Sequence, residues 1–162
     1  MQRFNIIYEE NKNLDKKFDE LYDMNNIDII RKNKLELLVE LGELANETKC
    51  FKYWSNKPSD INKVKEEYAD CLIMVFSFFN MYDINLDEDF KITKIRYDIV
   101  DLIGQLYHLC SEFYYNENRD LIKQIFVNFI DLGHQLLLSD DDIIKACLDK
   151  IKINYSRFDT GF

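Results

Sequence analysis

The chain has 162 residues, 47% of them apolar and including 12 Phe and 10 Tyr, which is ample material for one well-buried core. A net charge of −9 lacks the basic face that a general nucleic-acid binder presents to phosphates, so no nucleic-acid partner is expected. Four Gly and one Pro give little punctuation for a many-turned β fold. The composition therefore predicts an all-α helical bundle, a single domain over residues 1–162.

The opening stretch, MQRFNIIYEENKN, lacks the basic leader and apolar core of a signal peptide. Residues 2–22 place Phe4, Ile7, Tyr8, Leu14, Phe18 and Leu21 close to a helical period. Asp23-Met24-Asn25-Asn26 breaks that period, and a second helix is expected from about Ile27 to Lys49, with Leu37, Leu41 and Leu44 on its apolar face. The most loop-like stretch is SNKPSD, residues 55–60, in which Ser59 or Asp60 is placed to cap a third helix reaching about Tyr82.

From Cys71 onward the third helix is apolar on nearly every side, which puts it at the centre of a bundle. That run is interrupted by Ser77 and Asn80 and is about 12 residues long, short of the ~20 a membrane span needs. No membrane association is expected. After the polar turn Asp83 to Asp89, further helices are expected over 91–113, 119–138 and 140–157. A weak internal similarity links FFNMYDINLDEDF to DLGHQLLLSDDDI.

Cysteines at 50, 71, 110 and 147 stand apart, with no CxxC pair and no Cys/His cluster. This usage points to reduced, mostly buried thiols in a cytoplasmic protein and argues against zinc. His108 and His134 have no partner at ligand spacing and read as surface or interface residues. Neither a nucleophile elbow nor a GxxxxGK[ST] phosphate loop occurs.

The acidic residues carry more information. Glu36, Glu40, Glu43 and Glu47 fall at spacings of four, three and four, a stripe about 60° wide on a helix. No Lys or Arg interleaves them. Like charges at such spacings destabilise a helix by ~0.2–0.5 kcal/mol per pair, so the stripe costs stability unless a cation lies against it. Glu67 and Asp70 repeat the three-residue spacing where the buried part of the third helix begins.

Two such pairs on helices packed about 8–10 Å apart can converge on hard divalent ions, and magnesium suits oxygen ligands shared with substrate phosphates. A solvated acidic face is the competing reading. The missing lysines and the apolar continuation of the third helix weigh against it. Near the C-terminus Lys150, Asn154 and Arg157 share one helical face at i, i+4 and i+7. Such cations suit triphosphate oxygens, while an ordinary basic last helical turn is the alternative.

The pattern Glu40-x-x-Glu43, a gap, then Glu67-x-x-Asp70 resembles the signature of the all-α nucleoside triphosphate pyrophosphatases, which include the MazG-like proteins and the dimeric dUTPases. The surrounding text, ELLVELGELANETKCFKYWSNK and EEYADCLIMVFSF, is similar to the dimeric dUTPase branch. So is the tail, Lys150-x-x-x-Asn154-x-x-Arg157-x-x-x-Gly161-Phe162, although Phe162 stands where that branch commonly ends in Tyr.

The resemblance implies a homodimer that hydrolyses dUTP, with dUDP as a second substrate, on two or three Mg²⁺ ions held by Glu40, Glu43, Glu67 and Asp70. It implies that Lys52, Lys150 and Arg157 bind phosphate, and that Trp54 and Asn154 meet the base or sugar. It also sets Asn11 at a position where the branch carries Gln against the uracil ring, so an amide shorter by one methylene is expected to do that work. For Trp54 a packing anchor, and for Asn11 an exposed surface amide, remain open on the residues alone. Two rival functions share most of these features: an all-α pyrophosphatase for another nucleotide such as dCTP, and a non-catalytic acidic helical adaptor.

Overall fold

The computed structural model describes residues 1–91 and 97–160, without the side chain of Asp159. Among the described residues there are six α-helices and no strand, an all-α bundle. After a 3₁₀ turn at Gln2–Phe4 come α1 (Asn5–Leu21), α2 (Ile27–Thr48), α3 (Ile61–Met81), α4 (Ile99–Tyr115), α5 (Arg119–Gln135) and α6 (Asp140–Thr160).

Side-chain caps set most of the starts. Asn26, Asp60, Asp98 and Asn118 each accept a hydrogen bond from a backbone N–H in the first turn that follows. Ser139 and Asp142 cap α6 reciprocally: Ser139 Oγ accepts from Asp142 N, and the Asp142 carboxylate accepts from Ser139 N, both at 3.1 Å.

Several boundaries differ from the sequence reading: α4 runs to Tyr115 and not 113, α6 to Thr160 and not 157, and two others differ for visible reasons. The fourth helix begins at Ile99, not 91, because Asp98 is its cap, and residues 92–96 of the expected span lie outside the described residues. The fifth ends at Gln135, not 138. Leu137 adopts φ 62° there, and Leu138 N returns to Gly133 O at 3.0 Å, closing the helix with a left-handed residue.

Helix α3 is the hub, packing against α1, α2, α5 and α6. Its residues from Tyr68 to Phe79 are buried except for Asp70, Met74 and Ser77, as an all-round apolar helix should be. Phe76 and Phe79 meet Phe126 of α5 with ring centroids 5.4 and 5.1 Å apart. Tyr68 donates its hydroxyl hydrogen to Phe129 O of α5 at 2.7 Å.

Three helices run in the same direction. Arg3 pairs with Asp140 at the start of α6, Lys65 of α3 pairs with Asp142, and Phe18 of α1 meets Phe158 of α6 at the far end. This alignment sets α1, α3 and α6 level with one another, and α2 lies against α3. The acidic faces of α2 and α3 and the basic face of α6 thereby meet at one end of the hub helix.

Candidate active site

The acids converge. Carboxylate oxygens of Glu40 from α2 and of Glu67 and Asp70 from α3 all lie within 4.8 Å of one another. Each of the three side chains is part-buried. The i, i+3 spacing of Glu67 and Asp70 places both on the side of α3 that faces α2, and the apolar residues around them hold that register.

Electrostatics record the crowding. Burial, then the charges of Asp70, Glu43, Glu36 and Glu67, push the Glu40 carboxyl up to about 7. Burial followed by Asp70 raises Glu67, and burial raises Asp70 against the opposing pull of Lys150. Three carboxylates this close, each favouring its proton, form a set that a divalent cation with oxygen preference would satisfy. Their hard-oxygen chemistry fits magnesium.

Glu43, expected as a fourth ligand, stands outside this group. It is exposed on α2 and acts on Glu40 and Glu67 through its charge. Glu36 flanks the group from the other side, its carboxyl raised by burial and by Asp70.

The basic face of α6 lies against the acids in graded fashion. Lys150 is buried and reaches Asp70 Oδ2 at 2.6 Å and Glu66 Oε1 at 3.3 Å. Asn154, one turn on, is half-buried, and its Oδ1 is buried without a hydrogen-bond donor among the described residues. Arg157 is exposed and pulls the Asp70 carboxyl down by charge alone. Gly161 and Phe162 lie outside the described residues.

The loop between α2 and α3 is not brought to the acids. Lys52 Nζ bonds Asn46 Oδ1 at 2.6 Å and sits over the Phe51 ring. Trp54 is 66% exposed and packs edge-on against Tyr53, with centroids 5.0 Å apart. Among the described residues its ring lies against Phe51 and Tyr53 of the same loop.

Asn11 is not the exposed amide that helix position alone allowed. It is 1% exposed, and its Nδ2 donates to Ser77 Oγ at 2.9 Å and to Ile73 O at 3.2 Å, with Asp15 at the edge of range. Asp15 in turn accepts from Ser77 Oγ at 2.7 Å and from Asn80 Nδ2 at 2.5 Å. Burial pushes the Asp15 carboxyl up to about 6, against the two hydrogen bonds.

Sequence reasoning missed this cluster. Its signal was Ser77 and Asn80, polar interruptions three residues apart in an otherwise apolar helix, opposite Asn11 and Asp15 four apart on α1. Glu66, the second partner of Lys150, was missed as well.

His108 and His134 are exposed, the latter 2.8 Å from Asp140. Cys71, Cys110 and Cys147 are buried free thiols, and Cys50 is half-buried. Among the described residues no helix is long and apolar enough to cross a membrane.

The chain matches no curated protein. Its sequence does match a family model described as dUTPase over residues 3–162, a span that takes in the acidic group, the buried amide and the basic face of α6. The chain belongs to the all-α dUTPase family and is a dUTP diphosphatase, hydrolysing dUTP to dUMP and pyrophosphate.

Proposed function

We propose that hydrolysis depends on Mg²⁺ bound between α2 and α3, with Glu40, Glu67 and Asp70 as the inner carboxylates and Glu43 completing the set around two or three ions. The observation that carries this reading is the approach of three carboxylates to within 4.8 Å across two helices. When bound, the metal supplies positive charge for the triphosphate oxygens and a lowered pKa for the attacking water.

The remaining work belongs to the chain. The Glu40 carboxylate takes the proton of the water that attacks at the α–β linkage. Lys150 and Arg157 offset charge on the departing pyrophosphate, and Lys52 joins them if the loop over residues 51–54 swings inward. Trp54, exposed and held among the described residues by neighbouring loop rings, covers the sugar or base on the same movement. Asn11 and Asn154, whose amides lie buried in the chain, are assigned to the uracil and sugar once the nucleotide opens a way to them. dUDP, which carries the same α–β linkage, is the second substrate that the family resemblance implies.

The active form is a homodimer. Leu35 and Val39 on α2 and Val100 and Tyr115 on α4 are at least half exposed, and α2 packs against α4. Large apolar side chains left exposed on adjoining helices suit an association surface. Free, mostly buried thiols fit a reducing compartment such as the cytoplasm.

A panel of deoxynucleoside triphosphates and dUDP, with pyrophosphate or phosphate readout and a Mg²⁺ titration after chelation, tests the reaction. Turnover of dUTP that rises with Mg²⁺ and vanishes on chelation is expected; full turnover in excess chelator would exclude the metal. Light scattering of the Val39→Glu variant tests the dimer, for which a shift to the monomer mass is expected.

A further inference from the structure

Which way the Asn11 amide faces is settled by its surroundings. Every hydrogen bond it makes among the described residues runs through Nδ2, to Ser77 Oγ, Ile73 O and, more weakly, the Asp15 carboxylate. The Ser77 hydroxyl hydrogen has two acceptors in reach, Asp15 Oδ1 at 2.7 Å and Ile73 O at 3.3 Å, and the shorter bond to Asp15 leaves its oxygen to accept from Asn11. Asp15 is itself held by Asn80 at 2.5 Å. A turned amide would aim its carbonyl oxygen at a backbone carbonyl, a carboxylate and a hydroxyl whose hydrogen is committed elsewhere. Acceptors on three sides, with Ile73 O unable to donate, favour the NH₂ group at that position.

We propose that Asp15, through Ser77, is a positioning residue that locks Asn11 with its carbonyl oxygen toward the base, and that this lock is what separates uracil from cytosine. The inference rests on the reading of Asn11 as the base contact. Uracil and thymine carry a hydrogen on N3 and donate there, whereas cytosine N3 is an acceptor. A carbonyl that cannot turn satisfies the former and leaves cytosine N3 facing an acceptor, an unpaired contact that a dry site penalises. If the amide were free, its NH₂ could turn outward and accept cytosine as a partner. Asp15 never needs to touch the nucleotide.

The test compares kcat/KM for dUTP, dCTP and dTTP in Ser77→Ala, Asp15→Leu and Asp15→Asn. Either of the changes Ser77→Ala and Asp15→Leu leaves Ile73 O, 3.2 Å from Asn11 Nδ2, as the one close group that can only accept, and is expected to lower the dUTP-to-dCTP ratio about threefold or more. The dUTP-to-dTTP ratio stays as it was, because thymine donates from N3 as uracil does. In Asp15→Asn the new amide keeps an acceptor for the Ser77 hydroxyl, and Asn80, whose Oδ1 is buried without a donor, can turn to receive the new NH₂. That variant is expected to retain discrimination.

An unchanged dUTP-to-dCTP ratio in Ser77→Ala overturns the proposal, as does a parallel fall in both ratios, which marks the cluster as structural only. Ser77→Ala, the milder change, decides the matter if Asp15→Leu does not fold. Asn11→Ala separates the two layers of the argument. If it leaves discrimination intact, Asn11 is not the base contact; if it abolishes discrimination while Ser77→Ala does not, only the positioning role fails.

Discussion

Lys150 Nζ lies 2.6 Å from Asp70 Oδ2, buried between α6 and α3. The ammonium group stands beside the carboxylates where a divalent cation is proposed to bind, and in its absence it offsets part of their repulsion. Asp70 therefore has two claimants, the lysine and the metal.

Removing the lysine charge exposes that competition. Lys150→Met is expected to lower the melting midpoint of the metal-free protein, since a buried ion pair that loses one partner leaves an uncompensated charge. Added Mg²⁺ is expected to raise the midpoint of the variant by more than it raises that of the parent, because nothing opposes the metal at Asp70. Thermal unfolding with and without Mg²⁺ at pH 8 reads both effects. An equal rise in the two proteins would show that the lysine and the metal do not share Asp70.

The inner carboxylates are expected to be indispensable for turnover but not for folding. Glu40→Gln and Asp70→Asn preserve shape while removing charge, and each is expected to lower kcat by about 10³-fold or more, equivalent to roughly 4 kcal/mol of barrier. Far-ultraviolet circular dichroism should be unchanged, because neither side chain caps a helix. Near-parental kcat in either variant would contradict the metal assignment.

Stability of the metal-free protein is expected to fall as pH rises from 5 to 8. The Asp15 carboxyl is pushed up to about 6 and that of Glu40 to about 7, both above their unfolded values. The native state therefore binds protons more tightly. That contribution is complete below about pH 4 and is lost as pH passes through the two raised values. Carboxyls held low by lysines, such as Glu117 beside Lys34 and Asp142 beside Lys65, titrate only in more acidic solution and do not oppose the trend in this window. For a chain of this size each kcal/mol moves the midpoint by about 2–4 °C, so calorimetry across pH 5 to 8 resolves the slope. Asp15→Asn should flatten it.

Two glycines on helices are expected to answer differently to the same substitution. A Cβ on Gly133 would sit 2.6 Å from Tyr68 Oη and 2.8 Å from Ile143 Cδ1, both in the core. Tyr68 cannot withdraw without breaking its bond to Phe129 O. Gly133→Ala should therefore cost about 1–3 kcal/mol. On Gly42 the sole close contact is Tyr107 Oη at 2.9 Å, the far end of a half-exposed side chain that can shift. Gly42→Ala regains about 0.5–1 kcal/mol of helix propensity and should be neutral or stabilising. Chemical denaturation of both variants measures the contrast.

Helix count, helix order and the central place of α3 were legible in the sequence, because periodicity and capping residues are local and the apolar run after Cys71 has no polar side to expose. Glu40, Glu67 and Asp70 were legible as one acidic group for a related reason: i, i+3 spacing on a helix fixes which side chains share a face. The start of α4 was less so, since the capping role of Asp98 depends on its extended backbone, which the residue pattern does not give.

What tertiary structure decided was which faces meet. Parallel packing of α1, α3 and α6 brought Lys150 to Asp70, buried Asn11 against Ser77, and enclosed Asp15 among hydrogen-bond donors. It also left Glu43 outside the group that Glu40, Glu67 and Asp70 form. Spacing along one helix determines the angle at which a side chain leaves the axis. Depth of burial, the orientation of an amide and the shift of a carboxyl depend on atoms contributed by other helices, which no local pattern encodes.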